Sequence, residues 1–200
     1  MRICFFGDSF INGTGDDECL GWVGRLCSME RKAGNGLTIY NLGVRGDTSA
    51  DIRRRWRIEA EARLPQDCDG RLVFSFGFND CARLDGCDRQ RVSTDDTQGH
   101  SLAVFGAAAS WRPTLVIGPL PVARDLDRNK RVAQLSDRMG ELCDRLSIPY
   151  FDALAFVADH YEAWREDADV GDGVHPNAGS YTALAAAVHA WAPWNNWFGR

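Results

Sequence analysis

The sequence has no long hydrophobic run, no surplus of positive charge and almost no lysine. Its best apolar stretch, Leu102 to Trp111, contains Gly106 and Ser110 and falls well short of the roughly 20 residues a membrane span needs. Integral membrane association is therefore not expected. The opening apolar run, Ile3 to Phe6, is shorter than the about 7 to 15 residues of a secretory h-region, so the expected location is cytoplasmic. Basic side chains number 23 against 28 acidic ones, a net charge of −5. That balance supplies no positive field for nucleic acid. Lys32 and Lys130 are the only lysines, a bias with no functional reading. The seven cysteines are odd in number, irregularly spaced and lack a C-x-x-C pair, so they read as free thiols, with a Cys81–Cys87 bridge as the alternative. No Cys/His set has zinc-ligand spacing, and no metal is expected. There is no P-loop, no G-x-G-x-x-G and no G-x-S-x-G, and no cofactor is implied.

What is present is the make-up of a globular chain. Hydrophobic residues are 44% and charged residues 26% of 200, enough for one ordinary domain, 1–200, with a sizeable core. Short apolar runs alternate with helical patterns. Arg2–Gly7, Thr38–Leu42, Leu72–Gly77, Leu115–Gly118 and Pro149–Phe151 read as strands. Helices are expected over Cys19–Arg31, over Thr48–Leu64 behind a Thr48-x-x-Asp51 capping box, and from Ser93 to about Trp111. Two more are expected along Val132, Leu135, Met139, Leu142 and Leu146, and over Asn177–Trp191. This β-α-β-α order predicts an α/β fold, a three-layer α/β/α sandwich on a parallel sheet, and five strands fit the flavodoxin-like order 2-1-3-4-5. Ligands of such sheets bind at the carboxyl ends of the strands, near the switch point.

Four segments fall on that rim: Gly7-Asp8-Ser9-Phe10, Gly43-Val44-Arg45-Gly46-Asp47-Thr48, Gly77-Phe78-Asn79-Asp80 and Asp172-Gly173-Val174-His175-Pro176. Together they supply a hydroxyl, glycine backbone, an amide and an Asp/His pair. Acyl transfer needs these parts. A serine hydroxyl is a poor nucleophile until a base takes its proton. An imidazole serves near neutral pH, held in its tautomer by a carboxylate. The tetrahedral oxyanion needs preorganised donors. Asp172 and His175, three apart on one turn, can adjoin.

These four blocks resemble the SGNH hydrolase family, the GDSL esterases and lipases. Gly7-Asp8-Ser9 resembles its first block, Gly46-Asp47-Thr48 the second, Gly77-x-Asn79-Asp80 the third and Asp172-x-x-His175-Pro176 the last. They occur in order over most of the chain. The resemblance implies a serine hydrolase of small-molecule esters with the triad Ser9, His175 and Asp172. It also implies an oxyanion hole from the Ser9 and Gly46 backbone N–H groups and the Asn79 amide. Gly43 is a second candidate for the Gly46 role. Asp8 is expected to hold the Ser9 loop, and Asp80 to buttress Asn79. Phe10 departs from the family's leucine, changing the apolar wall. Acyltransferase, lysophospholipase and thioesterase activities share these parts. With no long lid evident, small or short-chain esters are the expected substrates. Phe10, Leu120 and Val174 are expected to line a partly apolar rim, with loops 10–18, 80–93 and 119–128 shaping the pocket.

Rival classes fit less well. Phosphoryl transfer on Asp8 would call for a second acid two residues on, where Phe10 stands. A flavodoxin-like binding module would need a first loop richer in Ser, Thr and Gly. Arg53-Arg54-Arg55-Trp56-Arg57 reads as a solvated helix face followed by Glu59 and Glu61, not a nucleic-acid patch. His100, His160 and His189 read as structural or surface residues. The tail Trp191, Trp194, Trp197 and Phe198 reads first as packing on the domain and second as a dimer or lipid-contact patch, which leaves room for a homo-oligomer.

Overall fold

The computed structural model describes residues 1–84 and 86–200. Strands β1 (Arg2–Gly7), β2 (Thr38–Gly43), β3 (Gly70–Ser75), β4 (Thr114–Ile117) and β5 (Tyr150–Phe151) form one sheet in the order β2-β1-β3-β4-β5. Every pairing is parallel. The order reverses between β1 and β3, the switch point of the flavodoxin-like order. Gly7 of β1 stands level with Gly43 and Ser75 of its neighbours, so three connecting segments leave the sheet side by side.

The helices are α1 (Ser9–Asn12), α2 (Gly21–Lys32), α3 (Ser49–Arg63), α4 (Thr94–Ala109), α5 (Leu126–Arg145), α6 (Ala153–Asp159), α7 (Tyr161–Val170), α8 (Ala178–Ala190) and α9 (Ala192–Asn196). Helices α2 and α8 pack together on one face of the sheet; α3, α4 and α5 run along the other. Covered on both faces, the central strands are largely apolar, as in parallel sheets generally: Ile3, Cys4, Phe5 and Phe6 of β1 are all inaccessible, whereas the edge strand β2 has no buried residue. Phe6 stacks on Phe74 at 5.5 Å. Full burial of each such side chain contributes about 1.5–3 kcal/mol.

Helix starts follow the local chemistry. The Asp51 carboxylate accepts from the Thr48 backbone N–H at 3.0 Å and from its hydroxyl at 2.7 Å. Ser93, Asp125, Asp152 and Asn177 each cap a helix with a side-chain oxygen, a device that contributes about 0.5–2 kcal/mol.

The structure differs from the sequence expectation in several places. The Ser9 segment is not an open loop but the start of α1. The first long helix begins at Gly21 rather than Cys19, because Asp16 accepts from the Leu20 and Gly21 N–H groups and holds the preceding turn. Helices α6 and α7 were not anticipated. Arg55 is no solvated residue: it pairs with Asp47 at 2.7 Å and donates to the carbonyls of Gly7 and Leu42. Phe10 and Leu120 are each 1% exposed and belong to the core, not the rim; of the three expected rim residues only Val174 is partly exposed. The aromatic tail packs on the domain, with Trp194 buried and its Nε1 donating to the inaccessible Glu30. All seven cysteines are free. No helix is long and apolar enough to cross a membrane among the described residues.

Candidate active site

The site grows from the end of β1. Asp8 takes an extended conformation and caps α1, its Oδ1 accepting from the Phe10 N–H at 3.0 Å. Ser9 is thereby the first helical residue. Its own N–H is among those a helix leaves without an internal acceptor. Gly13 in a left-handed conformation ends the helix after one turn. The hydroxyl is held on a short element clamped at both ends.

On the far side, Asp172 and His175 sit in one turn ahead of α8. Asp172 Oδ1 accepts from the backbone N–H groups of Val174 at 3.0 Å and His175 at 2.9 Å. Its Oδ2 lies 2.7 Å from His175 Nδ1. His175 Nε2 lies 2.7 Å from Ser9 Oγ, across 166 residues of sequence. With Nδ1 protonated, Nε2 is the acceptor for the serine proton. Ser9 is 2% and His175 5% exposed. The imidazole packs on Phe10 at 5.1 Å between centroids, and Phe10 meets Phe78 edge-on at 5.2 Å.

Two further segments supply donors. Gly46 has φ +87°, in the left-handed region that favours glycine. Among the described residues its N–H has no acceptor, while its carbonyl takes a bond from Arg91 at 3.1 Å. Gly43 differs: its N–H is engaged by Asn41 Oδ1 at 3.0 Å. A Cβ there would lie 2.2 Å from the Asn12 nitrogen, so close packing of β2 on α1 accounts for that glycine. Of the two candidates, Gly46 has the free donor. Asn79 Nδ2 donates one hydrogen to the Asp47 carbonyl at 3.0 Å and keeps a second for another acceptor. That bond ties the third block to the second.

Among the described residues, Asp80 makes no hydrogen bond to the Asn79 side chain, whose amide bonds the Asp47 carbonyl instead. The Asp80 carboxylate accepts from the backbone N–H and hydroxyl of Ser49 and from the Thr97 hydroxyl. It thus anchors the Asn79 segment to the starts of α3 and α4. His100 reaches the same network through Ser49 Oγ at 2.9 Å. His160 bonds the Phe156 carbonyl, and His189 lies 3.3 Å from Glu30.

Sequence reasoning gave three arginines no role at the site. Arg55 fixes Asp47, and with it Gly46. Arg45 places Nη2 3.2 Å from Asp172 Oδ2. Arg128 lies over Phe78. Arg45 lies within the second rim segment, but Arg55 and Arg128 sit in none of the four. Only the capping box of α3, which orients Arg55, was a usable signal. Of the loops expected to shape the pocket, 80–93 is described except for residue 85, which lies outside the described residues.

The electrostatics suit a neutral base. Burial pushes the His175 pKa below its ordinary 6.5; Asp172 opposes this, and the charges of Arg45 and Arg128 add to it. Burial also acts on Asp172, but the His175 and Val174 hydrogen bonds outweigh it and hold that carboxyl at about 2. Burial drives Asp8 up to about 7. A base must be unprotonated to act, so activity is present above the His175 pKa and lost as pH falls through it. The acid limb of kcat/KM is expected to have its midpoint below 6.5. Asp8→Asn keeps a cap acceptor and separates the imidazole's inflection from the carboxyl's. A limb centred above 6.5 in that variant would contradict this electrostatic picture.

An α/β sandwich with a serine, an imidazole and unpaired donors at its switch point has the parts of an acyl hydrolase. Residues 5–183 match the GDSL-like Lipase/Acylhydrolase family. The chain belongs to that family and is a carboxylic ester hydrolase. An acetylxylan esterase from Geobacillus stearothermophilus superposes with a TM-score of 0.79 at 18% identity, over 96% of this chain and 95% of that one. A lipase/acylhydrolase from Enterococcus faecalis gives 0.77 at 21% identity, over 94% and 93%. At these identities the likeness is one of fold. No curated protein matches the sequence at a significant level.

Proposed function

We propose that this protein is a serine esterase that cleaves small or short-chain esters through an acyl-enzyme on Ser9. The hydrogen-bonded run from Asp172 through His175 to Ser9 Oγ, with 2.7 Å at each step, carries the reading. His175 takes the proton as Ser9 Oγ attacks the ester carbonyl. The oxyanion is met by the N–H groups of Ser9 and Gly46 and by the second hydrogen of the Asn79 amide. His175 then returns the proton to the leaving alcohol. Water, deprotonated by the same imidazole, releases the acid. Asp172 stays ionised throughout and stabilises the imidazolium.

Burial supports the small acyl group. Ser9 and His175 are almost wholly covered, and Phe10 packs against His175, Phe78 and Trp164. A well-packed interior does not yield to extra methylenes without cost. Nitrophenyl esters of rising acyl length test this. Acetyl to butyryl esters are expected to give the highest kcat/KM, with a loss of about tenfold or more at octanoyl, a few kcal/mol of overpacking being enough. A maximum at dodecanoyl would reverse the reading.

A further inference from the structure

Arg128 stands where helix physics disfavours it. It lies in the first turn of α5, where the positive end of the helix dipole repels a cation. Such a local conflict calls for a compensating role. The side chain is half-buried, its guanidinium 3.4 Å from the Phe78 ring centroid. Nε and Nη2 donate to the Phe78 carbonyl at 3.3 and 3.1 Å. Among the described residues, no carboxylate lies within ion-pair distance, and Nη1 has no protein acceptor. Asp125 is near enough to be felt, but its Oδ1 caps the helix through the Arg128 backbone N–H at 2.8 Å. Burial lowers the Arg128 pKa to about 10, which still leaves it charged at neutral pH. A partly desolvated cation with unused donors is stabilised by an anion in bidentate geometry.

The position of this charge is informative. Phe78 packs on Phe10, and Phe10 on His175, while Asn79 follows Phe78 in sequence. A second guanidinium, Arg45, reaches the site from the segment after β2. It is 66% exposed and touches Asp172 with one nitrogen. The fields of both arginines are felt at His175. The other charges near this centre are Asp172, held in the triad; Asp47, paired with Arg55; Asp80, bound by Ser49 and Thr97; Asp125 and Arg131 beside Arg128; and Asp8, which burial leaves only partly ionised near neutral pH. Arg45 and Arg55 are paired with carboxylates, whereas Arg128, among the described residues, is not, in a protein whose net charge is −5.

We infer that the ester taken by this site carries an anionic group, a carboxylate or a phosphate, seated against Arg128 with Arg45 adding to the attracting field. The inference rests on the esterase reading and narrows its substrate class. The reaction at Ser9 is unchanged; the charge serves to bind and orient.

Three acetate esters with closely matched leaving groups test it: those of 3-hydroxybenzamide, 3-hydroxybenzoate and 3-hydroxyphenyl phosphate. The parent enzyme is expected to prefer at least one anionic ester over the neutral one by about tenfold or more in kcat/KM, the range of a charge-assisted hydrogen-bond pair. The larger of the two anionic preferences identifies carboxylate or phosphate. In Arg128→Gln that ratio is expected to fall to near unity, whatever happens to the absolute rate, and Arg128→Lys should retain part of it. Added sodium chloride should lower the ratio in the parent and leave it flat in Arg128→Gln. No preference in the parent, or a preference that survives Arg128→Gln, overturns the inference. Calorimetric titration of Ser9→Ala with the preferred anionic ester, with and without Arg128→Gln, separates the two claims. Binding that depends on Arg128 without turnover by the parent would sink the esterase reading alone. Turnover of the neutral ester, with no Arg128-dependent binding of either anion, would sink the anion site alone.

Discussion

Ser9→Ala is expected to fold like the parent and to lose ester hydrolysis by on the order of 10⁴- to 10⁶-fold, the range seen when a serine nucleophile is removed from a comparable triad. The reason is local. Among the described residues, no second hydroxyl lies on His175 Nε2: its partner is Ser9 Oγ at 2.7 Å. Removing that oxygen leaves the base with nothing to activate except adventitious water. The folding cost is modest. One buried nitrogen loses a hydrogen bond, worth about 1–3 kcal/mol at most, and α1 keeps its Asp8 cap and its Gly13 end. For a chain of this size that is a fall in Tm of about 2–4 °C per kcal/mol. Assay of a short-chain nitrophenyl ester beside a melting curve checks both halves. A folded Ser9→Ala variant that retains more than about a hundredth of parental kcat would falsify the acyl-enzyme scheme, given the loss a missing nucleophile entails.

Asn79→Ala is expected to lower kcat by about 10²- to 10³-fold with little change in KM, because an oxyanion donor acts only once charge has formed. Asn79 has two hydrogens to give. One goes to the Asp47 carbonyl, which leaves the other for the substrate. Truncation removes both, so the structural loss must be kept apart from the chemical one. The structure provides for this. Asp47 is also held by Arg55 at 2.7 Å, and the Asn79 segment stays anchored through Asp80 to Ser49 and Thr97. The Gly46 N–H should therefore remain in place. Asn79→Asp makes the sharper comparison. Its carboxylate can donate no hydrogen when ionised and repels the developing oxyanion. It is expected to be at least as slow as alanine despite its closer shape. An Asn79→Asp enzyme faster than Asn79→Ala, or a loss confined to KM, would remove Asn79 from the oxyanion role.

Much of this molecule was legible along the chain. The parallel sheet followed from alternation, because parallel strands need crossover helices and crossovers keep one hand, and five strands fitted the order 2-1-3-4-5 that the structure has. The strands read clearly because burial on both faces leaves runs such as Ile3–Phe6 uniformly apolar. The caps at Thr48 and Ser93 read clearly because capping is chemistry between residues three apart. Helices α6 and α7 were harder. Val157, Tyr161, Trp164 and Ala168 do step by four and three, but the break at His160 divides the pattern into pieces too short to stand out. Phe10 looked like a rim residue because it follows Ser9. Only the turn of α1 sends it inward, against His175 and Phe78.

The sequence by itself determined the kind of sheet, the rim on which chemistry could sit, and the residue types brought there, since these depend on local periodicity and on contacts within a few residues, such as that between Asp172 and His175. Tertiary structure alone decided which glycine keeps a free N–H, that Asp80 serves Ser49 and Thr97, and that Arg45, Arg55 and Arg128 converge on the site. The physical reason is one of reach. Arginine spans a long distance from its backbone, and its partners here lie 48, 50 and 127 residues away in the chain, a range over which no spacing rule operates.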